Sequence, residues 1–362
     1  MAEKMAKFFI ITFNMIRTLF VRRQIVHSRA SGKTSTHTAA TKVRGRAAVL
    51  LSALVMGSVL ILSVPQDAFS RTLAREQVEI IMIGDRLVDV AYSLGVVPAA
   101  MSVRCSMWPM CDSLKATVQV LGCPDCLFKK KAAPLVAFAG QHGIKRVLIE
   151  KSAPFCEYVP DLKLENIAFL LEDKGFEIEI VDFTKGLHGA VRQTAKLLNC
   201  AGKADQILQQ YNTAMGKTHH KIEGKQFAQK AVLLRGTYQA GTGKAFLRIE
   251  APGGYADRFL LKPLGIENVG GSMVSSGQKP VKGHIIIRKL DGLAVVAPDV
   301  IVMTGDSLAV QKALAEALKK NPALAEVPAI RDHAIFTLPG YIDAGVMEYP
   351  HILQRWVEVL SL

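Results

Sequence analysis

Signatures of catalysis are missing from this sequence. It contains no Gly-x-Ser-x-Gly elbow and no His-Glu-x-x-His helix, so nothing indicates a serine hydrolase of the α/β type or a zincin. The stretch nearest to a phosphate loop, Gly241-Thr242-Gly243-Lys244, fails twice: Tyr238 stands where the first glycine belongs, and Ala245 replaces the required Ser or Thr. No nucleophile and base stand at a readable spacing, so no enzymatic activity is expected and no cofactor is required. Charge is sparse as well. A fifth of the 362 residues are charged and half are apolar, which excludes a disordered chain. Acidic side chains are in deficit, 31 against 45 Lys and Arg. Ten of the basic residues and only two of the acids fall within residues 1–70, so much of the positive excess belongs to the leader. No stripe of Lys and Arg interleaved with aromatics is present, and nucleic acid is not an expected partner.

The leader reads as an export signal. Lys42, Arg44 and Arg46 precede an apolar run over residues 47–63, followed by Val64-Pro65 and then Ala68-Phe69-Ser70. A basic region, an apolar region and small residues at −3 and −1 fit cleavage after Ser70. The alternative is an uncleaved anchor, since the run is only just long enough to span a bilayer. No cysteine lies near the end of the run, which argues against a lipoprotein. Export to the periplasm permits disulfides, and the chain has six cysteines.

The longest amphipathic pattern covers residues 187–222. Leu187, Ala190, Val191, Thr194, Leu197, Ala204, Leu208, Tyr211, Met215 and Ile222 recur at the three-and-four spacing of one helical face. Unbroken, such a helix would reach about 50 Å; Gly202 and Gly216 weaken it, and a break near residues 199–203 is expected. On either side, strand-like and helix-like segments alternate, the pattern of mostly parallel sheets with helices on their faces. The expected architecture is α/β: a leader over 1–70, an N-terminal lobe over 75–185, an inter-lobe helix over 186–224 and a C-terminal lobe over 225–362. A ligand cleft would lie between the lobes.

Three motifs in the second half occur in a telling order: Leu264-Gly265-Ile266-Glu267-Asn268-Val269-Gly270-Gly271, then Pro298-Asp299-Val300-Ile301-Val302, then residues 327–339, Val-Pro-Ala-Ile-Arg-Asp-His-Ala-Ile-Phe-Thr-Leu-Pro. Tyr92-Ser93-Leu94-Gly95 and the segment 186–198 add to them. Together they resemble the periplasmic solute-binding proteins of ABC importers for ferric siderophores, haem and cobalamin. The resemblance implies two α/β lobes joined by a rigid helix, a metal ion or metal chelate as cargo in the cleft, and delivery by a monomer to a membrane permease and its ATPase. It also implies that an acid on each lobe docks on permease arginines. Asp291 holds that position in the second lobe, and the helix over 132–142 has no acid at the corresponding place in the first.

Ligands of parallel sheets sit beyond the carboxyl ends of the strands, and five cysteines follow expected strands in this way. Cys105 and Cys111 enclose Met107, Trp108 and Met110, a soft donor set suited to Cu(I), thiolate-bound zinc or an iron–sulfur cluster. A Cys105–Cys111 disulfide is the plainer possibility. Trp108 is also a candidate for stacking on a chelate ring. Cys123-Pro124-Asp125-Cys126 has the spacing of half a zinc site or of a redox dithiol. With Cys156 these would form a mouth of five thiols, and an exported redox or cluster-carrying protein is the competing reading. In the second lobe Tyr238, Arg248 and Tyr341 lie at or beside strand ends. Arginine there would suit an anionic chelate.

Overall fold

The structure, a computed structural model, describes residues 75–274, 278–281, 283–340 and 346–361. The leader and Tyr341 lie outside the described residues. The first sheet holds β1 (Glu76–Ile83), β2 (Val96–Ser102), β3 (Gln119–Val120), β4 (Arg146–Lys151) and β5 (Glu177–Asp182) in the order β3-β2-β1-β4-β5. Every pairing is parallel. The four consecutive buried residues Ile80, Ile81, Met82 and Ile83 mark β1 as a central strand covered on both faces. Helices α1 (Asp85–Ser93), α2 (Cys111–Leu114), α3 (Pro124–Lys129), α4 (Ala133–His142) and α5 (Leu187–Leu197) accompany this sheet. On one face Met82 and Leu148 share a core with α1 and α5; on the other, Ile81, Ile83 and Ile149 pack with Leu127 of α3 and Leu135 of α4.

The amphipathic stretch 187–222 forms two helices rather than one. α5 ends at Leu197, Asn199 takes a positive φ of 56°, and a tight turn over Ala201–Lys203 leads into α6 (Ala204–Ile222). Lys203 Nζ fastens this turn to Leu94 O at 3.0 Å. Gly216, free of any crowding, does not interrupt α6, whose nineteen residues span about 28 Å. Ala204, Ile207 and Leu208 at its start belong to the first-lobe core, whereas Met215 and Ile222 pack on the second.

The second sheet departs from the expected plan. Strands β6 (Lys230–Gln239), β10 (Val300–Gly305) and β11 (Ile335–Thr337) are parallel, as is the short β8 (Glu267–Asn268) beside β6. β7 (Lys244–Glu250) and β9 (His284–Ile287) run antiparallel, giving the order β11-β10-β6-β7-β9. The Gly241-Thr242-Gly243-Lys244 stretch that failed as a phosphate loop is instead the turn between β6 and β7, with residues 240–243 turning. Helices α7 (Gly292–Val296), α8 (Ser307–Lys320), α9 (Pro328–Arg331) and α10 (Tyr349–Leu360) complete the lobe. Asp306 caps α8 by accepting from Ala309 N at 3.1 Å, the expected use of an Asp before a helix. Trp356 of α10 is fully buried and donates through Nε1 to Pro339 O at 3.0 Å. Thr218 of α6 donates to Pro350 O at 3.2 Å, tying α6 to α10. Among the described residues no helix is long and apolar enough to cross a membrane.

Candidate inter-lobe site

The carboxyl ends of β1 and β2 are locked by a buried ion pair. Asp85, in the first turn of α1, accepts from Arg104 N at 2.7 Å and from Arg104 Nε. The same guanidinium donates to Phe155 O at 2.8 Å and, across to the second lobe, to the Tyr255 hydroxyl at 3.0 Å, and it lies over the Phe155 ring. A charge this deep is tolerated only with such partners. The pair thus fixes where the chain leaves β2 and where the 105–111 loop begins.

That loop closes on itself. Cys105 and Cys111 form a disulfide with Cα atoms 5.0 Å apart, so as bonded they are not thiolate ligands. Trp108 is 1% exposed and sits in the first-lobe core beside Cys111 and Leu114, away from any solvent-facing stacking position. Met107 and Met110 are half-buried against the same core. Cys156 is buried in the core on the opposite face of the sheet. The five cysteines do not converge: among the described residues no group of three or more His, Cys, Asp or Glu side chains could hold a metal ion. Only Cys123 and Cys126 remain together as thiols, with their Sγ atoms 3.0 Å apart. Burial, and then the Cys126 contact, push the Cys123 thiol above its ordinary range.

The opposing wall comes from the β6–β7–β9 hairpins. Antiparallel register sets Arg235 directly opposite Arg248, with Ile286 opposite Arg248 on the far side and His284 opposite Glu250. Side chains alternate along a strand, so Arg235, Phe246, Arg248, Glu250, His284 and Ile286 share one face. Leu234, Leu247, Ile249 and Ile287 fill the core behind it. Tyr238 falls on the other face from Arg235 and is 43% exposed. Of the residues expected from sequence to line the cleft in this lobe, Arg248 takes part in this face, and Tyr238 does not. Asp291 is exposed just before α7, 3.3 Å from Asn321 Nδ2.

First-lobe residues meet this face directly. Arg235 donates to Ser106 O, at the tip of the disulfide loop. Tyr158 stacks edge-on against Tyr255 at 5.1 Å and lies 6.4 Å from His284. A Cβ on Gly283 would meet the Tyr158 ring at 2.2 Å, and one on Gly254 would meet its hydroxyl at 2.9 Å, so glycine is what lets the lobes approach here. Glu157 pairs with Arg258, and Glu157 N donates to the Tyr255 hydroxyl at 2.9 Å.

The electrostatics of this junction are unusual. Like charges directly opposite each other in a sheet are unfavourable without a counter-charge. Burial lowers the Arg235 pKa, Glu250 opposes that effect, and Arg248 adds to it. Burial pushes the Glu250 carboxyl up to about 7, although Ala256 N donates to its Oε1 at 3.0 Å and Arg235 lies near. Burial, with Glu250 next in weight, also raises the Tyr158 hydroxyl. The result is a paired cationic surface with an acid close to neutrality, flanked by apolar Phe246 and Ile286. Sequence reasoning missed Arg235, Glu250, Tyr158 and Tyr255. A hairpin reading of residues 230–250, with its glycine-rich turn, would have placed Arg235 against Arg248.

A cavity of about 850 Å³ opens elsewhere, at the amino ends of β1, β2 and β4, among Glu76, Val96, Arg146, Asn199, Cys200 and Lys203. It lies at the wrong end of a parallel sheet for the usual ligand position. Two of its cations are already engaged: Arg146 with Glu179 at 2.7 Å and Leu197 O at 3.2 Å, and Lys203 with Leu94 O at 3.0 Å.

Comparison with solved structures finds the same fold at low identity. A periplasmic haem-binding protein, RhuT from Roseiflexus sp. RS-1 in apo form, is 14% identical with a TM-score of 0.50, over 79% of this chain and 97% of that one. A periplasmic haem-binding protein from Pseudomonas aeruginosa is 15% identical, TM-score 0.49, over 78% and 94%. The iron-uptake system-binding protein FeuA from Bacillus subtilis is 18% identical, TM-score 0.48, over 77% and 93%. No curated protein sequence matches the chain. A family model described as periplasmic binding protein matches residues 124–342, more than half of the length, and takes in most of the second lobe together with α5 and α6. The chain belongs to the periplasmic binding protein family.

Proposed function

We propose that this chain is the solute-binding component of an ABC importer and captures an anionic metal chelate between its lobes. The observation that carries the reading is the Arg235–Arg248 pair, set side by side opposite the disulfide loop. Two guanidinium groups on one face, each with a fixed fork of donors, match paired carboxylates or comparable oxyanions. Phe246 and Ile286 beside them, 46% and 57% exposed, suit the apolar rim of an organic chelator. The donor set favours a chelate over a bare ion, because recognition then falls on the organic shell. Export through the leader, with cleavage after Ser70, would deliver the chain to the periplasm. Asp291 is the candidate contact to the permease, which works with an ATPase. The α6 helix, shared between the two cores, would restrain the lobes to small relative movements.

Equilibrium dialysis of the mature chain against ferric tricarboxylate, ferric catecholate, haem and a corrinoid tests this. Micromolar or tighter binding of at least one is expected. Charge-assisted hydrogen bonds contribute about 1.5–3 kcal/mol each, so Arg248→Ala should weaken that binding about 10- to 100-fold. Failure of all four to bind, or unchanged affinity in the Arg248→Ala chain, would overturn the reading.

A further inference from the structure

We propose that Cys123 and Cys126 form a reversible dithiol–disulfide couple, a redox site separate from the cargo site. Three observations carry it. The Sγ atoms are 3.0 Å apart. A disulfide needs about 2.05 Å, whereas two thiolates on a tetrahedral zinc stand about 3.8 Å apart, from Zn–S bonds of about 2.3 Å. At 3.0 Å the pair stands between these two spacings, within about 1 Å of a bond, and no third donor joins it among the described residues, as a closed zinc site would need. Next, the pair faces solvent: Cys126 is exposed and Cys123 half-buried. The Cys105–Cys111 bond differs, since Cys111 is 0% exposed within the core. Exposed disulfides are the ones that exchange, and shielded ones persist. Finally, Pro124 opens α3 directly after Cys123, and Cys126 N donates to Cys123 Sγ at 3.4 Å, so the helix holds the two sulfurs together without the bond. Bond formation then needs little rearrangement in either direction.

The chemistry is thiol–disulfide exchange with an external disulfide, R–S–S–R. The exposed Cys126, as thiolate, attacks one partner sulfur, breaking the partner's S–S bond and releasing RS⁻. Cys123, as thiolate, then attacks Cys126 Sγ, forming the Cys123–Cys126 bond and releasing the second RS⁻. The two protons lost by the cysteines end on two RSH. The pair is oxidised by two electrons and the partner is reduced by two. Lys129 pairs with Asp125 at 2.7 Å, and exposed Lys130 and Lys131 stand four and five residues after Cys126, a local positive charge that favours an anionic disulfide such as that of glutathione. Nothing in this exchange involves Arg235 or Arg248, so the outcome is independent of the cargo.

The test is anaerobic equilibration of the full chain in glutathione buffers from fully reduced to fully oxidised. Acid quenching, maleimide labelling and peptide mass mapping then report each cysteine. The expected result is loss of both labels on Cys123 and Cys126 across one two-electron transition, the same from either direction. Cys105 and Cys111 should stay unlabelled throughout. Cys123→Ser should trap Cys126 as a mixed disulfide with glutathione, with an unchanged circular dichroism spectrum. Labelling of both thiols in the most oxidised buffer, persistence of their bond in the most reduced one, or irreversible sulfur oxygenation would each overturn the proposal. So would stoichiometric zinc that protects both thiols while no disulfide forms.

Discussion

Glu250→Gln is the most informative single perturbation of the inter-lobe junction. The carboxyl is 8% exposed and its Oε1 accepts the Ala256 amide at 3.0 Å. Glutamine keeps that acceptor and removes the ionisation. In the folded chain the Glu250 pKa is pushed up to about 7 from an ordinary 4.5, first of all by burial. The folded state therefore holds this proton more tightly than the unfolded state does. Where the folded state binds more protons, stability falls as pH rises. The contribution is complete below pH 4.5 and is lost as pH climbs through 7. Between pH 5 and pH 8 the wild-type chain should lose about 2.5 kcal/mol from this one group. In the Glu250→Gln chain that slope is absent. The variant should match the wild type at pH 5 within about 1 kcal/mol and exceed it by about 2 kcal/mol or more at pH 8. Urea unfolding at both pH values, with the cargo absent, measures both differences. An equal offset between the two chains at pH 5 and at pH 8 would refute the assignment of a raised pKa to this carboxyl.

Two further outcomes follow from the same geometry. Asp85→Ala strips a buried guanidinium of its carboxylate and should cost about 3–5 kcal/mol in urea unfolding, because Arg104 would stay charged and buried; a loss under about 1 kcal/mol would show that the pair is dispensable. Gly283→Ala puts a Cβ 2.2 Å from the Tyr158 ring, at a residue whose φ is +70°. It should push the lobes apart locally, raising hydrogen exchange over residues 253–259 and lowering cargo affinity, whereas unchanged exchange and affinity would show that Tyr158 does not seat there.

Reading and structure agree where local chemistry is enough. The spacing along 187–222, with Gly202 inside it, locates both helices and their interruption. The cysteine reading went astray because following a strand says only at which end of the sheet a residue lies. It does not say on which side. Cys111 turns into the core with Trp108 and is bonded to Cys105, Cys156 packs beneath the opposite face, and only the pair three residues apart stays together as thiols, because a single helical turn holds it.

The sequence by itself determined the two-part α/β plan, the turn near Cys200, the spacing of the thiol pair and the family order of motifs in the second lobe. These are written in periodicity and short-range spacing. Tertiary structure alone decided that Arg235 faces Arg248 and Ser106, that Tyr158 seats on Gly283, and that Glu250 is buried beside them. Those contacts join residues from about 10 to more than about 120 positions apart, and each depends on strand register. A one-residue slip of β7 would send Arg248 to the opposite face of the sheet and leave this site without its second cation.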